Sequence, residues 1–219
     1  PLYKPENVEL PVFDKWVPRD YQLPIIDYCV DYKPPAAKFV ALQTGKGKTF
    51  ISLMAASQLS HRLLIIVRPM FMDKWQEDVM KTYDIDFQDM VVIKGADSLL
   101  ALIEQAVNDE LTAKVIIISN KTLQPYLKLY EQFQDQIRDL GYGCMPHELC
   151  ETLKVGTIIE DEIHLDFHLN FKLFTYTHVP KTISLSATLI SDDDFISKMY
   201  ETTFPNLSRY HGGAFDNYL

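Results

Sequence analysis

Six short apolar runs, separated by longer segments, constrain the fold of this 219-residue chain more than any other feature of its sequence. The runs are rich in β-branched residues and mostly lack alternation of apolar with polar residues, which is typical of strands covered on both faces. They occupy residues 38–42, 62–67, 89–94, 114–119, 155–160 and 181–186. We therefore predict an α/β fold with a mostly parallel central sheet and helices on both of its faces.

The segments between these runs predict the helices. The helical segments are residues 50–59, 71–83, 97–109, 122–140 and 191–204. Asp97 is expected to cap the third helix, and Ser191 with Asp194 has capping-box spacing at the start of the last. The first 35 residues contain seven prolines and show no clear period. We therefore divide the chain into an N-terminal segment, residues 1–35, and one large domain, residues 36–219.

A phosphate-binding loop is predicted where the first strand turns into the first helix. The sequence there is QTGKGKT, residues 43–49. Gly45 and Gly47 allow successive backbone N–H groups to point at one spot, and the positive end of the following helix adds to that field. Lys48 would bring its charge to the β- and γ-phosphates, and the Thr49 hydroxyl would hold Mg²⁺.

This loop departs from the usual pattern at one position. Leu42 stands five residues before Gly47, where the pattern has a glycine. A short motif of this kind also has an ordinary alternative, a glycine-containing turn with two solvated lysines. A carboxylate for Mg²⁺ at the end of a later strand would favour the phosphate-binding interpretation.

Residues 157–164, TIIEDEIH, provide such a carboxylate. Asp161 follows the end of a buried strand, where it could hold Mg²⁺ directly or through water. Glu162 is placed to take a proton from the water that attacks the γ-phosphate. An acidic loop of solvated carboxylates is the alternative for this segment alone, and the upstream loop makes that alternative much weaker.

The composition narrows the classes of partner. A formal net charge of -9 argues against a generally basic surface that coats nucleic acid, although it leaves room for a local positive groove. Three cysteines are too few for a disulfide framework, and no apolar run is long enough to cross a bilayer. We expect an intracellular, cytoplasmic protein with no membrane partner, in the host cytoplasm if its source is viral.

Five motifs follow one another along the chain. They are RDYQ at 19–22, QTGKGKT at 43–49, RLLIIVRP with a following KW at 62–75, DEIH at 161–164 and SLSAT at 184–188. Their order resembles that of the first RecA-like motor domain of superfamily 2 helicases and translocases, over nearly the whole chain. The chain is similar in particular to phage DNA helicases of the UvsW kind and to RecG-like and restriction-translocase motors. This resemblance implies a RecA-like P-loop NTPase domain that uses ATP and Mg²⁺.

The resemblance also implies roles at the nucleotide site. Gln22 matches the family's adenine-reading glutamine, with Arg19 in the same motif. Lys48, Asp161 and Glu162 are the expected catalytic residues, with Asp161 as the second Mg²⁺ ligand and Glu162 as the base. The residues expected to bind the ATP phosphates and their Mg²⁺ are Thr44, Gly45, Lys46, Gly47, Lys48 and Thr49.

Other matched positions extend beyond the nucleotide. Three of them resemble residues that couple the nucleotide site to the nucleic-acid site, namely His164, Ser186 and Thr188. Six lie where the family contacts a nucleic-acid strand, with a solvated loop as the alternative: Arg68, Pro69, Lys74, Asn120, Lys121 and Thr122. Trp75 is expected to pack in the core rather than to stack on a base.

The leading hypothesis is an ATP-dependent DNA helicase or translocase, represented by the N-terminal half of its motor. An RNA helicase of the same superfamily and a P-loop kinase for a small molecule are the alternatives. A kinase would not need Glu162 beside Asp161. A third alternative is a nucleotide-gated interaction module that has lost catalysis, and the intact Lys48, Asp161 and Glu162 argue against it. The chain ends about thirty residues after SLSAT, so we expect the second RecA-like domain and its arginine fingers to lie outside it. Such fingers contribute about 10³ to 10⁵ in rate, so the chain alone should hydrolyse ATP very slowly.

Overall fold

The computed structural model describes residues 3–187, 194–204 and 209–210. Six strands form one sheet in the order β1-β6-β5-β2-β4-β3, and every neighbouring pair is parallel. The strands are β1 (Ala37–Ala41), β2 (Leu63–Val67), β3 (Met90–Ile93), β4 (Val115–Ser119), β5 (Thr157–Glu160) and β6 (Lys181–Ser186). All six predicted strands are present, and the predicted parallel sheet is confirmed.

Helices connect the strands and cover both faces of the sheet. The helices are α1 (Leu23–Val30), α2 (Lys48–Leu59), α3 (Met72–Thr82), α4 (Ala96–Val107), α5 (Asn120–Phe133), α6 (Leu149–Thr152), α7 (Phe167–Tyr176) and α8 (Asp194–Thr203). Sequence patterns predicted α2, α3, α4, α5 and α8, whereas α1, α6 and α7 were not predicted.

Two predicted helix boundaries need correction. The helix predicted to reach residue 140 ends at Phe133 and continues as a 3₁₀ turn over Gln134–Leu140. The residue that caps α4 is Gly95, and Asp97 lies inside the first turn, where its charge suits the helix dipole. The capping box predicted at Ser191 lies outside the described residues.

The strands are buried on both faces, as their composition indicates. In β2, Leu63, Ile65 and Val67 belong to the apolar core on one face of the sheet, together with α1, α2 and α3. Leu64 and Ile66 belong to the core on the other face, with α4, α5 and α7. Full burial of such a side chain contributes about 1.5–3 kcal/mol relative to leaving it exposed. This two-sided burial explains the apolar runs without alternation.

The N-terminal segment is held against the first face of this sheet. Leu10 is buried in the core, and its carbonyl accepts a hydrogen bond from Ser57 Oγ at 2.6 Å. Isolated bridges join Asn7 to His61 and Val12 to Tyr83. Through these contacts the segment packs against α2 and the end of α3 before α1 begins. The RDYQ motif, at the start of α1, therefore lies beside the phosphate-binding loop.

Because the strands are parallel, their carboxyl ends lie at one edge of the sheet, where ligands bind in open α/β folds. The segments that follow β1, β2, β4, β5 and β6 therefore meet at this edge. They carry QTGKGKT, Arg68, Asn120, DEIH and Ala187. In the part of the chain that the structure describes, no helix is long and apolar enough to span a membrane.

Candidate functional site

The turn between β1 and α2 has the backbone geometry of a phosphate-binding loop. Gly45 and Gly47 have φ values of 85° and 83°, in the left-handed region that favours glycine. Gly47 is followed at once by α2, so the first free N–H groups of that helix face the loop. A Cβ atom on Gly47 would lie only 2.6 Å from Gln22 Nε2. This position therefore requires glycine for its conformation, and any larger residue would also displace the Gln22 amide.

The RDYQ motif is attached to the same loop. Gln22 is buried, and its Oε1 accepts a hydrogen bond from the Arg19 backbone N–H at 2.9 Å. The Tyr21 hydroxyl donates to the carbonyl of Lys46 at 3.0 Å. Thr44, two residues before Lys46 in the same loop, is exposed. The predicted adenine and phosphate motifs are therefore neighbours, with Gln22 directly beneath the last turn of the loop.

Lys48 connects the loop to the DEIH segment. Its Nζ donates to the carbonyl of Leu42 at 3.1 Å and lies 3.3 Å from Glu162 Oε1. Leu42 is itself buried, and its N–H donates to the carbonyl of Ser186 at 3.1 Å, which extends the pairing of β1 with β6. The departure at Leu42 therefore leaves the loop intact, because the side chain faces the core and the carbonyl faces Lys48.

A chain of polar contacts continues from Glu162 to β6. Glu162 Oε2 lies 3.3 Å from His164 Nδ1, and Ser186 Oγ lies 2.8 Å from the same nitrogen. Glu162 has φ 48°, an uncommon conformation for a residue with a Cβ atom that clusters at functional sites. The structure thus brings together Lys48, Glu162, His164 and Ser186. Thr188, the other predicted coupling residue, lies outside the described residues.

Asp161 has a partner that sequence reasoning missed. Trp75 is buried in α3, as expected, but its indole Nε1 also donates a hydrogen bond to Asp161 Oδ2 at 2.8 Å. Burial raises the pKa of Asp161, while this hydrogen bond and the charge of Lys48 act in the opposite direction. Because the N–H of a buried tryptophan usually finds a hydrogen-bond acceptor, the sequence indicated that Trp75 has one. It did not indicate that the acceptor is Asp161.

The oxygens at this site suit a magnesium ion. Thr49 lies in the first turn of α2, and Asp161 follows β5 at the same edge of the sheet. Mg²⁺ prefers hard oxygen ligands and usually takes only one or two carboxylates, the remainder coming from water and substrate phosphates. Among the described residues, no group of three or more His, Cys, Asp or Glu side chains could hold a metal ion. The Thr49 hydroxyl and the Asp161 carboxylate are nevertheless oxygen donors of the kind that Mg²⁺ binds.

A second cluster centres on Asp166, the residue before α7. Its Oδ2 lies 3.0 Å from Arg68 Nε, and its Oδ1 lies 3.2 Å from Lys121 Nζ. Asn120 Nδ2 also reaches Oδ2, at 3.4 Å. Burial acts to raise the pKa of Asp166, but Lys121, Asn120 and Arg68 together hold that pKa below its ordinary value. Three predicted nucleic-acid contacts thus converge on a carboxylate that sequence reasoning did not single out.

The other predicted nucleic-acid contacts are placed differently. Lys74 lies on the exposed side of α3 and pairs with Asp78 at 3.9 Å. Thr122 Oγ1 accepts from the Gly95 N–H at 3.1 Å and so supports the turn before α4. Pro69 begins a short 3₁₀ turn directly after Arg68.

Asn120 is buried rather than open to a strand. Its Nδ2 donates to Asn170 Oδ1 at 3.2 Å as well as to Asp166. Asn120 Oδ1 is also buried and has no hydrogen-bond partner among the described residues, and the nucleic-acid contact at this position stays a prediction. Asn120 supports the Asp166 cluster from beneath.

Comparison with known families places most of the chain in one of them. Residues 15–191 match the family model described as type III restriction enzyme, res subunit. No curated protein is significantly similar to the chain in sequence.

Several solved structures share the fold. The Hef helicase domain of Pyrococcus furiosus is 20% identical, with a TM-score of 0.58 over 85% of this chain and 36% of that one. The UvsW helicase from bacteriophage T4 is 16% identical, with a TM-score of 0.55 over 87% of this chain and 60% of that one. The Sulfolobus solfataricus SWI2/SNF2 ATPase core in complex with dsDNA is 18% identical, with a TM-score of 0.53 over 91% and 37%. This chain therefore spans between about a third and three-fifths of their lengths.

Proposed function

Since this chain belongs to the family described as type III restriction enzyme, res subunit, we propose that it binds ATP with Mg²⁺ and couples ATP hydrolysis to movement on DNA. It is a helicase-family motor domain of superfamily 2 with a RecA-like fold. The observation that carries the proposal is the continuous contact from Lys48 through Glu162 and His164 to Ser186. It connects a phosphate-binding lysine with the base and the coupling residues.

We assign the chemistry of the nucleotide site as follows. The loop N–H groups and Lys48 bind the β- and γ-phosphates, while Thr49 and Asp161 would hold Mg²⁺. The bound ion would supply positive charge that neutralises charge developing on the phosphates. Trp75 orients Asp161 by donating to one of its oxygens. Glu162 accepts the proton of the attacking water and is held in place by His164.

The adenine-binding role remains with the N-terminal segment, residues 1–35. Gln22 is buried beneath Gly47, and the Arg19 N–H holds its side-chain oxygen. Residues 36–219 then form the motor domain proper. The two parts act together in nucleotide binding, because the Tyr21 hydroxyl is bonded to the loop.

DNA is the partner that we propose for the Arg68 and Lys121 side of the site. One of the similar structures is an ATPase core in complex with dsDNA, and another is described as a hypothetical ATP-dependent RNA helicase from Sulfolobus tokodaii. The proposal of DNA therefore rests on the sequence, because RDYQ and DEIH resemble the motifs of DNA translocases more than those of RNA helicases of the DEAD type. We further propose that a second RecA-like domain of the full-length protein supplies arginine to the transferring phosphate. The shares of 36% and 60% that this chain spans of two similar structures are consistent with one half of such a motor.

A phosphate-release assay on this chain tests the proposal. We expect very slow release, with and without DNA, because an arginine finger is worth about 10³–10⁵ in rate. Glu162→Gln should keep ATP binding and lose the residual hydrolysis. Turnover of several per second that Lys48→Ala abolishes would contradict the need for a second domain. Phosphate found on an acceptor molecule, instead of free in solution, would favour a kinase.

A further inference from the structure

We propose that Asp166 occupies the place of a nucleic-acid phosphate between Arg68 and Lys121, and that a strand phosphate displaces it and thereby shifts the segment that carries Glu162. The inference rests on the proposed function and adds a regulatory step to it. Asp166 would act as a positioning residue that reports nucleic-acid binding to the nucleotide site.

The first step is the geometry of the cluster. Each oxygen of the Asp166 carboxylate faces a different cation, at 3.0 Å for Arg68 Nε and 3.2 Å for Lys121 Nζ. The two cations follow β2 and β4, which are neighbouring strands paired at Val67 and Ser119. Two cations that share one anion with two oxygens also suit a phosphate group, because phosphate offers oxygens at similar spacing.

The second step is that the cluster is open to exchange. The side chains of Arg68, Lys121 and Asp166 are 31%, 43% and 21% exposed. Ion pairs in contact with water are weak and are screened by salt. A nucleic-acid strand gains additional free energy by releasing counterions when lysine and arginine neutralise its phosphates. A strand phosphate can therefore replace the carboxylate as the partner of these cations.

The third step links the cluster to the catalytic carboxylate. Residues 162–166 form a tight turn in which the Leu165 N–H donates to the Glu162 carbonyl at 2.9 Å. Asn170 Nδ2 holds the turn by donating to the carbonyls of Ile163 and Leu165, at 3.1 and 2.7 Å. One end of this turn contacts Lys48 through Glu162, and the other end contacts Arg68 and Lys121 through Asp166.

The backbone of this turn has an uncommon conformation at both of its ends. Both Glu162 and Asp166 are in the left-handed region, with φ values of 48° and 55°. Residues with a Cβ atom adopt this conformation when their surroundings hold them in it. Loss of the Arg68 and Lys121 contacts removes part of that hold, so the change at Asp166 reaches Glu162 through four intervening peptide bonds. An ion pair that merely anchors α7 would have no such effect on ligand binding.

Asp166→Asn is the variant that separates these possibilities. It removes the charge while keeping the shape, and asparagine tolerates the left-handed conformation as aspartate does. Asp109→Asn is the matched control. Asp109 is also left-handed, with φ 59°, and pairs with Lys154 at 2.8 Å. It lies between α4 and β4, at the opposite edge of the sheet.

The first measurement is the binding of a fluorescein-labelled single-stranded DNA of mixed sequence, followed by anisotropy over a series of salt concentrations. We expect Asp166→Asn to bind about three- to tenfold more tightly than the wild type at low salt. Its log affinity should fall more steeply with log salt, by ~0.7 for each additional phosphate that the protein neutralises. Asp109→Asn should match the wild type. In a protein with Arg68→Gln and Lys121→Gln, Asp166→Asn should bind no more tightly than its parent.

The second measurement tests the link to the nucleotide site. Coupling between two ligands is reciprocal, so saturating DNA should change the nucleotide affinity of the wild type. Asp166→Asn without DNA should already show most of that change, and adding DNA should change it little further. Circular dichroism and melting curves identify any variant that does not fold. If Asp166→Asn does not fold, the protein with Arg68→Gln and Lys121→Gln is used to test the link instead.

The outcomes separate the two levels of the proposal. A folded Asp166→Asn protein whose DNA affinity is unchanged or weaker would overturn this inference and leave the proposed function standing. This inference would also be overturned, and the proposed function left standing, if Asp166→Asn binds DNA more tightly but its nucleotide affinity still responds to DNA as in the wild type. Absence of nucleotide binding by the wild type would overturn the proposed function. Absence of DNA binding by every variant would overturn both the DNA partner and this inference.

Discussion

The hydrogen bond from Trp75 to Asp161 leads to a quantitative prediction. Trp75→Phe retains a buried aromatic ring in α3 but removes the indole N–H that lies 2.8 Å from Asp161 Oδ2. Asp161 then stays buried with one fewer donor, while Lys48 remains nearby as a source of positive charge. Because burial raises the pKa of Asp161 and this bond opposes that rise, the variant should bind Mg²⁺ less well.

The expected magnitude follows from the charge of the acceptor. A hydrogen bond to a charged group contributes about 1.5–3 kcal/mol, and loss of a residue that orients a metal ligand typically costs about 10- to 100-fold in metal affinity. Lys48 still stabilises the carboxylate, so the lower end applies. We therefore predict about a tenfold loss of Mg²⁺-dependent nucleotide affinity.

A fluorescent ATP analogue, titrated at several Mg²⁺ concentrations, measures this effect. Affinity in excess chelator should stay close to that of the wild type, because the phosphate-binding loop is unchanged. Trp16→Phe is the matched control, since Trp16 is the other of the two tryptophans and donates its Nε1 to the Lys81 carbonyl at 2.6 Å instead of to Asp161. Its ring lies 6.2 Å from that of Phe50, so this variant also shows how much a change of ring near the loop contributes by itself. An equal loss with and without Mg²⁺, or no loss, would refute the assignment of Trp75 as the residue that orients Asp161.

Three further predictions concern the loop, a buried lysine and the charge of the chain. Gly47→Ala should abolish detectable nucleotide binding, because the added Cβ would lie 2.6 Å from the Gln22 amide and displace it, and the φ of 83° should destabilise the fold by about 1–3 kcal/mol. Gly45→Ala has similar φ strain but open space, so it should bind better than Gly47→Ala in the same titration. Burial lowers the pKa of Lys181 to about 8. The unfolded chain therefore binds more protons than the folded one between about pH 8 and 10.5. Urea unfolding should show the wild type gaining about 3 kcal/mol relative to Lys181→Met over that range, and a difference independent of pH would contradict this. With a net charge of -9, the domain should bind single-stranded DNA with a shallow salt dependence, and a slope equivalent to about eight or more phosphate contacts would refute that expectation.

The sheet could be predicted because its strands carry their own signal. Each strand is a β-branched run buried on both faces, so its pattern depends little on distant residues. Helices α1 and α7 lacked such a signal. Helix α1 has eight residues, includes a proline near its start and lies in a segment of seven prolines. Helix α7 is rich in aromatic residues of modest helix propensity and is stabilised by packing, such as the Phe167 ring at 4.4 Å from that of Tyr200.

The candidate site could be predicted only in part, for a related reason. In motifs such as QTGKGKT and DEIH, the polar groups lie within a few residues of one another at a strand end. The sequence alone was therefore enough to predict that these two motifs lie at the same edge of the sheet. The partners of Trp75 and Asp166 come from distant segments: Asp161 lies 86 residues after Trp75, and Arg68 lies 98 residues before Asp166. Only the register of the sheet brings these residues together.

Calorimetric titration of ATP with Mg²⁺ into this chain and into Lys48→Ala tests the central claim most directly. Lys48 is held between the Leu42 carbonyl and Glu162 Oε1, at 3.1 and 3.3 Å, beside the start of α2. We predict one ATP bound per chain, and a loss of about 10- to 100-fold in affinity when this charged donor is removed. Equal affinity of the two proteins, or no binding by the wild type, would contradict the assignment of this edge of the sheet as a nucleotide site.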